Sequence, residues 1–559
     1  MRNILKQKMI NWRFPSIKNN KNIINILLIF ISIFIFTIMP LNDVPVDLQH
    51  ADSLVERITA FSSGVVNNWL IDGIINDNFV MYEDFASVEF ENNNDRCLYV
   101  SYPPGSLIPL YFVAKIIGEK EVSIGFVKRF VQFEYYLSIF ILGLLFYICL
   151  KYLEIKSRLL IIFLPVILSS LWAFLPFNVY YMKNVYFADE AGILLSIIFF
   201  LIEIVLYNKQ QKEWGIPLQI LSSIVLFAGI LTDYYFFCIA FIAIWFRIIT
   251  SFQDYPEKPV LYKLFSNTWA LIVSTIIAVS LFIIQILSID YGLRWLAVTF
   301  RVRTGNGTEL GGIETLIQHF GNGFTILFIP ILVFVTIFCV IFPFIRNNYS
   351  KEKQMIIRWL SIIILSAVLH TIILRQHSIM HEFSMLKYNL VFVFIIFTFI
   401  YWIYINYINK AVVSIKKYSG IILTFIIFLM LFCFASLKSY DQKFYNSRTW
   451  IEDHSIAKFI REKTSYNDVV YSPDYEISCD PKYSHELAIS KKRIYQVSRI
   501  NEIPVNNLPD HAIINILISR DSIEKGNWNK LLKAKIFFSR SDNFYLFKFS
   551  KELFHSVIN

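Results

Sequence analysis

Apolar runs long enough to cross a bilayer recur along most of this sequence, near residues 23–39, 133–150, 159–177, 189–207, 216–231, 234–250, 268–289, 323–345, 359–374, 388–408 and 419–437. About twenty apolar residues serve one crossing, so roughly eleven transmembrane helices are expected. Of the 559 residues, 56% are hydrophobic and 53 are Phe. No soluble core of this size hides so much apolar surface, so the fold class is an α-helical polytopic membrane protein. The runs at 216–231 and 234–250 are parted only by Thr232-Asp233. They read as a hairpin with its turn at the outer interface, one long bent helix being the alternative.

The formal charge of +10 lies in short connections between apolar runs, which is a topology signal and argues against nucleic acid as a partner. With the basic segment 1–22 inside, the basic connections near 151–158, 209–212, 247–263, 346–358 and 410–417 all fall on the inner side. The outer side receives the long loop 41–130, the connections 178–188, 290–322 and 375–387, and everything after residue 439. No small-x-small cleavage site follows residues 23–39, so this run reads as an uncleaved anchor. Three parts are therefore expected: a cytoplasmic basic N-terminus (1–22), a transmembrane domain (23–439) that includes the loop 41–130, and an extracytoplasmic α/β domain (440–559).

In that last part the composition becomes that of an ordinary globular domain. Residues 468–472, 493–497 and 512–519 read as strands, and two more flank Ser541-Asp542-Asn543. Residues 450–462 and 528–534 read as helices. Nothing in the segment looks catalytic. Four of the six cysteines lie inside apolar runs, and no CxxC or His-rich metal spacing is present.

The first long loop is acidic and comes early. Projected as a helix, residues 47–65 place Leu48, Ala51, Leu54, Val55, Ile58 and Phe61 on one arc, an amphipathic helix lying on the membrane surface. Asp47 falls within that arc, His50 and Arg57 at its edge, and Asp52 and Glu56 on the water side. A carboxylate held against apolar surface becomes more basic, which suits a general base. Asp47 also follows Pro45 and fits a helix N-cap equally well. His50 is read as a structural interface histidine ahead of a proton carrier. Tyr102-Pro103-Pro104-Gly105 makes a rigid corner before an apolar stretch, 107–117, that is too short to span and reads as interfacial. His370, inside an apolar run, reads as a packed, hydrogen-bonded histidine.

A basic N-terminus, one span, an outer loop with the early acid Asp47-x-x-His50-Ala51, and the Tyr102-Pro103-Pro104-Gly105 corner follow one another in this order. Ala188-Asp189-Glu190-Ala191 then stands at the outer end of the fourth span, and Gly229-Ile230-Leu231-Thr232-Asp233-Tyr234 between the next two. The arrangement resembles the GT-C superfamily of polyprenyl-phosphate-sugar-dependent membrane glycosyltransferases, which includes protein O-mannosyltransferases and aminoarabinose transferases of lipid A. The resemblance implies a sugar donor on a polyprenyl phosphate and a lipid, glycan or protein acceptor. It also implies an inverting reaction on the outer face, with Asp47 and Asp189 as the catalytic acids. His50, Asp52 and Glu190 would support them, and the choice of base among Asp43, Asp47 and Asp52 stays open. Asp189 and Glu190 fit a helix-start cap as well as catalysis.

The leaving phosphate needs cations, and Arg301, Arg303, Arg375, His377, His381 and Lys387 are the candidates in outer segments. Arg301 and Arg303 alternate in an extended stretch, so one of the two is expected to face inward. For Arg375 and Lys387 the alternative is snorkelling at helix ends. No metal-ligand spacing is seen, although Asp47 and Asp189 could approach one another and a divalent metal is compatible. Two other readings are a polysaccharide polymerase or ligase and a transporter or flippase. Ligases place the large loop late, and transporters carry charge at mid-membrane, whereas here the acids gather at the outer interface.

Overall fold

The structure is a computed structural model. It describes residues 20–44, 46, 48, 56–82, 98–155, 157–206, 215–289, 292–304 and 351–404, and in the C-terminal part 459–460, 463–464, 469–473, 494–497, 500, 503, 505, 513–525, 528, 531, 538–540 and 544–558.

The first helix, α1, begins at Asn20–Ile33 and runs through a π-turn into Met39–Asn42. The first long loop folds as α2 (Arg57–Asn68), a two-residue pairing of β1 (Met81–Tyr82) with β2 (Leu98–Tyr99), and α3 (Leu107–Ile117). The bundle continues with α4 (Ile124–Tyr152), α5 (Arg158–Ala173), α6 (Pro176–Asn184), α7 (Ala188–Leu206), α8 (Gly215–Ile230), α9 (Tyr235–Asp254), α10 (Val260–Phe265), α11 (Trp269–Leu287) and α12 (Gly292–Arg303). After residues 305–350 come α13 (Lys351–Ile373), α14 (Arg375–Met380) and α15 (Leu386–Ile403). Among the described residues, five helices are long and apolar enough to cross a membrane, or six if the bent pair α5–α6 is one span. The expected spans 323–345 and 419–437 lie outside the described residues.

Three expectations about this region are corrected. The run 159–177 is not one continuous helix. It breaks before Pro176 with a bend of 68°, and the supposed connection 178–188 is largely helix α6. Pro176 has no N–H to give the preceding turn and is pre-set for the first position of a helix, so the chain restarts there. The amphipathic helix expected over 47–65 starts at Arg57 in the described residues. Arg301 and Arg303 stand in the last turn of α12 rather than in an extended stretch.

Glu56 also departs from its expected water-facing position. It is 2% exposed, and one carboxylate oxygen accepts from Lys128 Nζ at 2.8 Å while the other accepts from the Tyr180 hydroxyl at 3.0 Å. The reason lies in α4. The Ser123 side chain accepts the Phe126 N–H and starts this helix nine residues ahead of the expected 133, so Lys128 becomes a helical residue pointing inward. An unpaired buried ammonium costs several kcal/mol, and Glu56 is the counter-charge within reach.

The core is continuous from α1 through α15 and contains Tyr135, Leu142, Trp172, Tyr181, Phe199 and Phe394 among its buried residues. Polar groups inside it gather at the two ends of α7. Near one end, the guanidinium of Arg247 (α9) holds the Glu203 carboxylate through two nitrogens and donates to the Asn267 carbonyl at 2.7 Å, while Ser222 Oγ donates to Glu203 at 2.6 Å. Fourteen residues earlier, about 21 Å along the helix axis, Asp189 begins the other cluster.

In the C-terminal part, β3 (Val469–Ser472), β4 (Ile494–Gln496), β5 (Ile513–Ser519), β6 (Phe538–Arg540) and β7 (Phe544–Ser550) form one sheet in the order β4-β3-β5-β7-β6. β3 is parallel to β4 and β5, whereas β7 is antiparallel to β5 and β6. Side chains alternate across the pleat. Ile514, Ile516 and Ile518 join Tyr471 and Phe547 on one face, and Leu517 joins Val470 and Leu546 on the other. Both faces are therefore covered.

Candidate active site

The turn between α8 and α9 shows how the site is assembled. Asp233 and Thr232 both donate their backbone N–H to the Gly229 carbonyl at 2.9 Å, and the Asp233 carboxylate accepts the Tyr235 N–H at 3.0 Å. Gly229 is required there, because a Cβ would lie 2.1 Å from the Phe236 ring. The Tyr-Pro-Pro-Gly corner of the first long loop docks on this turn: the Gly105 N–H donates to the Leu231 carbonyl at 2.6 Å. A Cβ on Gly105 would come within 2.2 Å of that carbonyl oxygen, so only glycine permits the approach. Docking brings Tyr102 onto Tyr234, their rings stacked at 5.0 Å.

The first turn of α7 faces this corner. Helix α2 is held to the strand-like lead-in by Thr59 Oγ1, which donates to the Asn184 carbonyl at 2.7 Å, and by Ser62 Oγ, which donates to the Tyr186 carbonyl at 2.6 Å. Glu190 reaches back to accept the Phe187 N–H at 3.1 Å, as the third residue of a capping box does. Its second oxygen, Oε1, is buried without a partner. Asp189 instead turns into the bundle.

Asp189, Asp233, Lys387 and His370 meet there, each at most 1% exposed. Lys387 Nζ donates to Asp189 Oδ1 at 2.6 Å, makes an ion-pair contact with Asp233 Oδ2 at 3.0 Å, and lies 3.2 Å from His370 Nε2. Burial pushes the Asp233 carboxyl up from its ordinary range, against the pull of the Lys387 charge. His377 extends the cluster: its Nε2 is 3.5 Å from Asp189 Oδ2 and 2.9 Å from the Tyr102 hydroxyl. Burial drives His377 down to about 3, despite the hydrogen bond and charge of Asp189, so the ring is neutral near pH 7. Its Nδ1 is buried without a partner among the described residues.

Arg303, the last residue of α12, completes the group. Its guanidinium carbon lies 4.2 Å from the centre of the Tyr102 ring, and Nη2 donates to the Tyr99 hydroxyl at 3.2 Å. Its Nη1 is buried and has no partner among the described residues. Arg301, two residues earlier, is exposed.

Of the residues singled out in the sequence, the structure thus brings together Asp189, Glu190, Arg303 and Lys387. Arg375 is half-buried, with Nε 3.4 Å from the Thr304 carbonyl oxygen next to Arg303. Lys387 neither snorkels nor presents its charge to the outside, because two buried carboxylates hold it. Asp47, His50 and Asp52 lie outside the described residues. The chain ahead of them is fixed by Lys183, whose ammonium donates to the Leu41 and Val44 carbonyls at 2.6 and 2.9 Å. Tyr102 and Asp233 were not assigned to the site from sequence, whereas His377 was among the candidates of the outer connection 375–387. A carboxylate in a two-residue turn between apolar runs was the available signal for Asp233. Among the described residues no group of three His, Cys, Asp or Glu side chains has the geometry to hold a metal ion.

No protein-family model and no curated protein matches the chain. Among solved structures it is similar to ArnT from Cupriavidus metallidurans in the apo state, at 10% identity over 96% of this chain and 99% of that one, with a TM-score of 0.47. The same protein bound to undecaprenyl phosphate is similar at 9% identity over 94% and 96%, with a TM-score of 0.49. The archaeal oligosaccharyltransferase AglB from Archaeoglobus fulgidus, in complex with an inhibitory peptide and a dolichol-phosphate, is similar at 10% identity over 97% of this chain and 77% of that one, with a TM-score of 0.47.

Proposed function

We propose that this protein is a membrane glycosyltransferase that moves a sugar from a polyprenyl-phosphate donor to an acceptor hydroxyl at the outer face of the membrane. The observation that carries this reading is Arg303. A buried guanidinium nitrogen without a partner among the described residues, next to a carboxylate cluster at the ends of apolar helices, suits an anionic group entering from the bilayer. The unpartnered Nδ1 of His377 faces the same need.

In this reading the acceptor oxygen attacks the anomeric carbon as the bond from that carbon to the phosphate oxygen breaks. Asp47 takes the hydroxyl proton, and the departing lipid phosphate carries its charge to Arg303, with Arg375 behind it. Attack opposite the leaving group inverts the anomeric centre. Asp189 orients His377 and Tyr102 beside the reacting sugar. The basic connections, which favour the cytoplasmic side, and the Glu203–Arg247 cluster at the other end of α7 support an outward-facing site and an extracytoplasmic C-terminal domain.

Purified protein in lipid nanodiscs, given a polyprenyl-phosphate sugar, tests the reading. Asp47→Asn is expected to abolish transfer while membrane insertion is kept, and Asp52→Asn to be milder. Full transfer by the Asp47→Asn protein would reject Asp47 as the base.

A further inference from the structure

Asp189 and Asp233 come from different helical hairpins, and buried carboxylates that approach this closely need a cation between them. The sequence itself leaves room for a divalent metal. The residues present do not fit one between these two acids. Lys387 Nζ already occupies that space, 2.6 Å from Asp189 Oδ1 and 3.0 Å from Asp233 Oδ2. A divalent cation needs oxygen contacts of about 2.0–2.6 Å, which would bring it against the ammonium. The surroundings of the ammonium are also those of an amine and not of a metal. His370 Nε2 lies 3.2 Å away, and the Tyr235 ring centre lies 5.3 Å from Nζ.

We infer that Lys387 is a built-in counter-ion that replaces a divalent metal between Asp189 and Asp233. This rests on the reading of the cluster as the transfer site. Lys387 is then a positioning residue. It fixes Asp189 through Oδ1 and leaves Oδ2 directed at His377, so the Tyr102–His377–Asp189 line has one orientation. Its single charge neutralises one of the two acids, and the guanidinium of Arg303 lies over the Tyr102 ring. Lys387 is spent on this task and does not contact the donor phosphate.

The test is Mn2+ binding to the purified full-length protein, followed by electron paramagnetic resonance alongside transfer measured with and without chelator. The wild-type protein is expected to bind no Mn2+ in an Asp233-dependent way, and its transfer to be unchanged by chelator. Lys387→Ala is expected to gain one Mn2+ per chain and to lose it again in the Lys387→Ala/Asp233→Asn double variant. Lys387→Arg, which keeps a cation in place, should gain none. Wild-type Mn2+ binding that Asp233→Asn removes overturns the inference, as does a folded Lys387→Ala protein that gains no Mn2+. If Lys387→Ala does not fold, the wild-type and Lys387→Arg proteins decide: Asp233-dependent Mn2+ in either one overturns the inference, and its lack in both upholds it. Metal binding is read without any sugar donor, so a protein inactive in sugar transfer fails the functional reading and leaves this result intact.

Discussion

The Gly105 N–H donates to the Leu231 carbonyl at 2.6 Å and fastens the first long loop to the turn that carries Asp233. Two segments far apart in sequence thereby become one wall of the site. Gly105→Ala places a methyl group 2.2 Å from that carbonyl oxygen, against backbone that has no freedom to move away. Overpacking of this kind costs about 1–3 kcal/mol, and here it also shifts Tyr102 away from Arg303 and His377. Transfer is expected to fall by about tenfold to a hundredfold. Gly215→Ala, where none of the described residues offers an atom within 4 Å, should be silent in the same assay.

Asp189→Asn removes the charge-assisted hydrogen bond of 2.6 Å from Lys387 and leaves the ammonium with Asp233 as its acid, in a site at most 1% exposed. A hydrogen bond to a charged group is worth about 1.5–3 kcal/mol. Asp189→Asn is accordingly expected to lower both transfer and the unfolding temperature. Glu190→Gln keeps an oxygen for the Phe187 N–H and should leave stability nearly unchanged. Thermal unfolding of the two variants side by side separates the roles, and equal losses would reject the distinction between them.

Arg303 and Arg301 make a paired test of the donor contact. Arg303→Lys loses the planar fork that spans Tyr99, Tyr102 and the unpartnered Nη1 direction. An anion contact of this type is worth about 1.5–3 kcal/mol, so KM for the lipid donor should rise by about tenfold or more. Arg301→Ala, at an exposed position, should leave it unchanged. Donor titrations read both.

Much of this was legible in the sequence, and the gaps have physical causes. Apolar runs separated by basic connections identified the membrane class because burial in lipid demands long, uninterrupted helices. The turn of the α8–α9 hairpin and all five strands of the C-terminal sheet were placed within a residue or two, since their bounding residues are strong punctuation. Asp189 was visible as an acid at a helix start. Its partners were not, because pairing Asp189 with Lys387 depends on contacts across 198 positions of sequence. Helical projection misjudged Glu56 for a related reason: it assumed water beyond the loop, where Lys128 of α4 stands. Lys387 was assigned to a helix end, where lysines snorkel, yet that end is capped by protein and not by solvent.

The Glu56–Lys128 pair should behave as a unit. Lys128→Met alone leaves the Glu56 carboxylate, 2% exposed, without its ammonium while the Tyr180 hydroxyl still donates to it. A destabilisation of about 3–5 kcal/mol is expected. Adding Glu56→Gln removes the stranded charge, so the double variant should regain part of that loss. Denaturant or thermal unfolding of the two proteins provides the comparison, and a double variant no more stable than Lys128→Met would rule out charge stranding as the cause.

His377 makes the fold sensitive to acid. Burial holds its ring down to about 3 from an ordinary 6.5, and His381, whose ring lies 4.7 Å away, is held to about 4 by the same cause. Above pH 6.5 both rings are neutral in the folded and unfolded chains, and pH has no leverage through them. As pH falls below 6.5 the unfolded chain takes up protons that the folded one refuses, so stability is lost progressively until the folded-state values are reached. The slope is at most about 1.4 kcal/mol per pH unit for each histidine. The groups facing His377 are Tyr102 and Asp189 by contact, with His381 and Arg303 opposing its charge. His377→Gln keeps a polar group beside Tyr102 but cannot titrate. Its unfolding temperature should therefore fall less steeply than that of the wild-type protein between pH 6.5 and 4. Equal slopes in the two proteins would mean that His377 is already protonated in the fold.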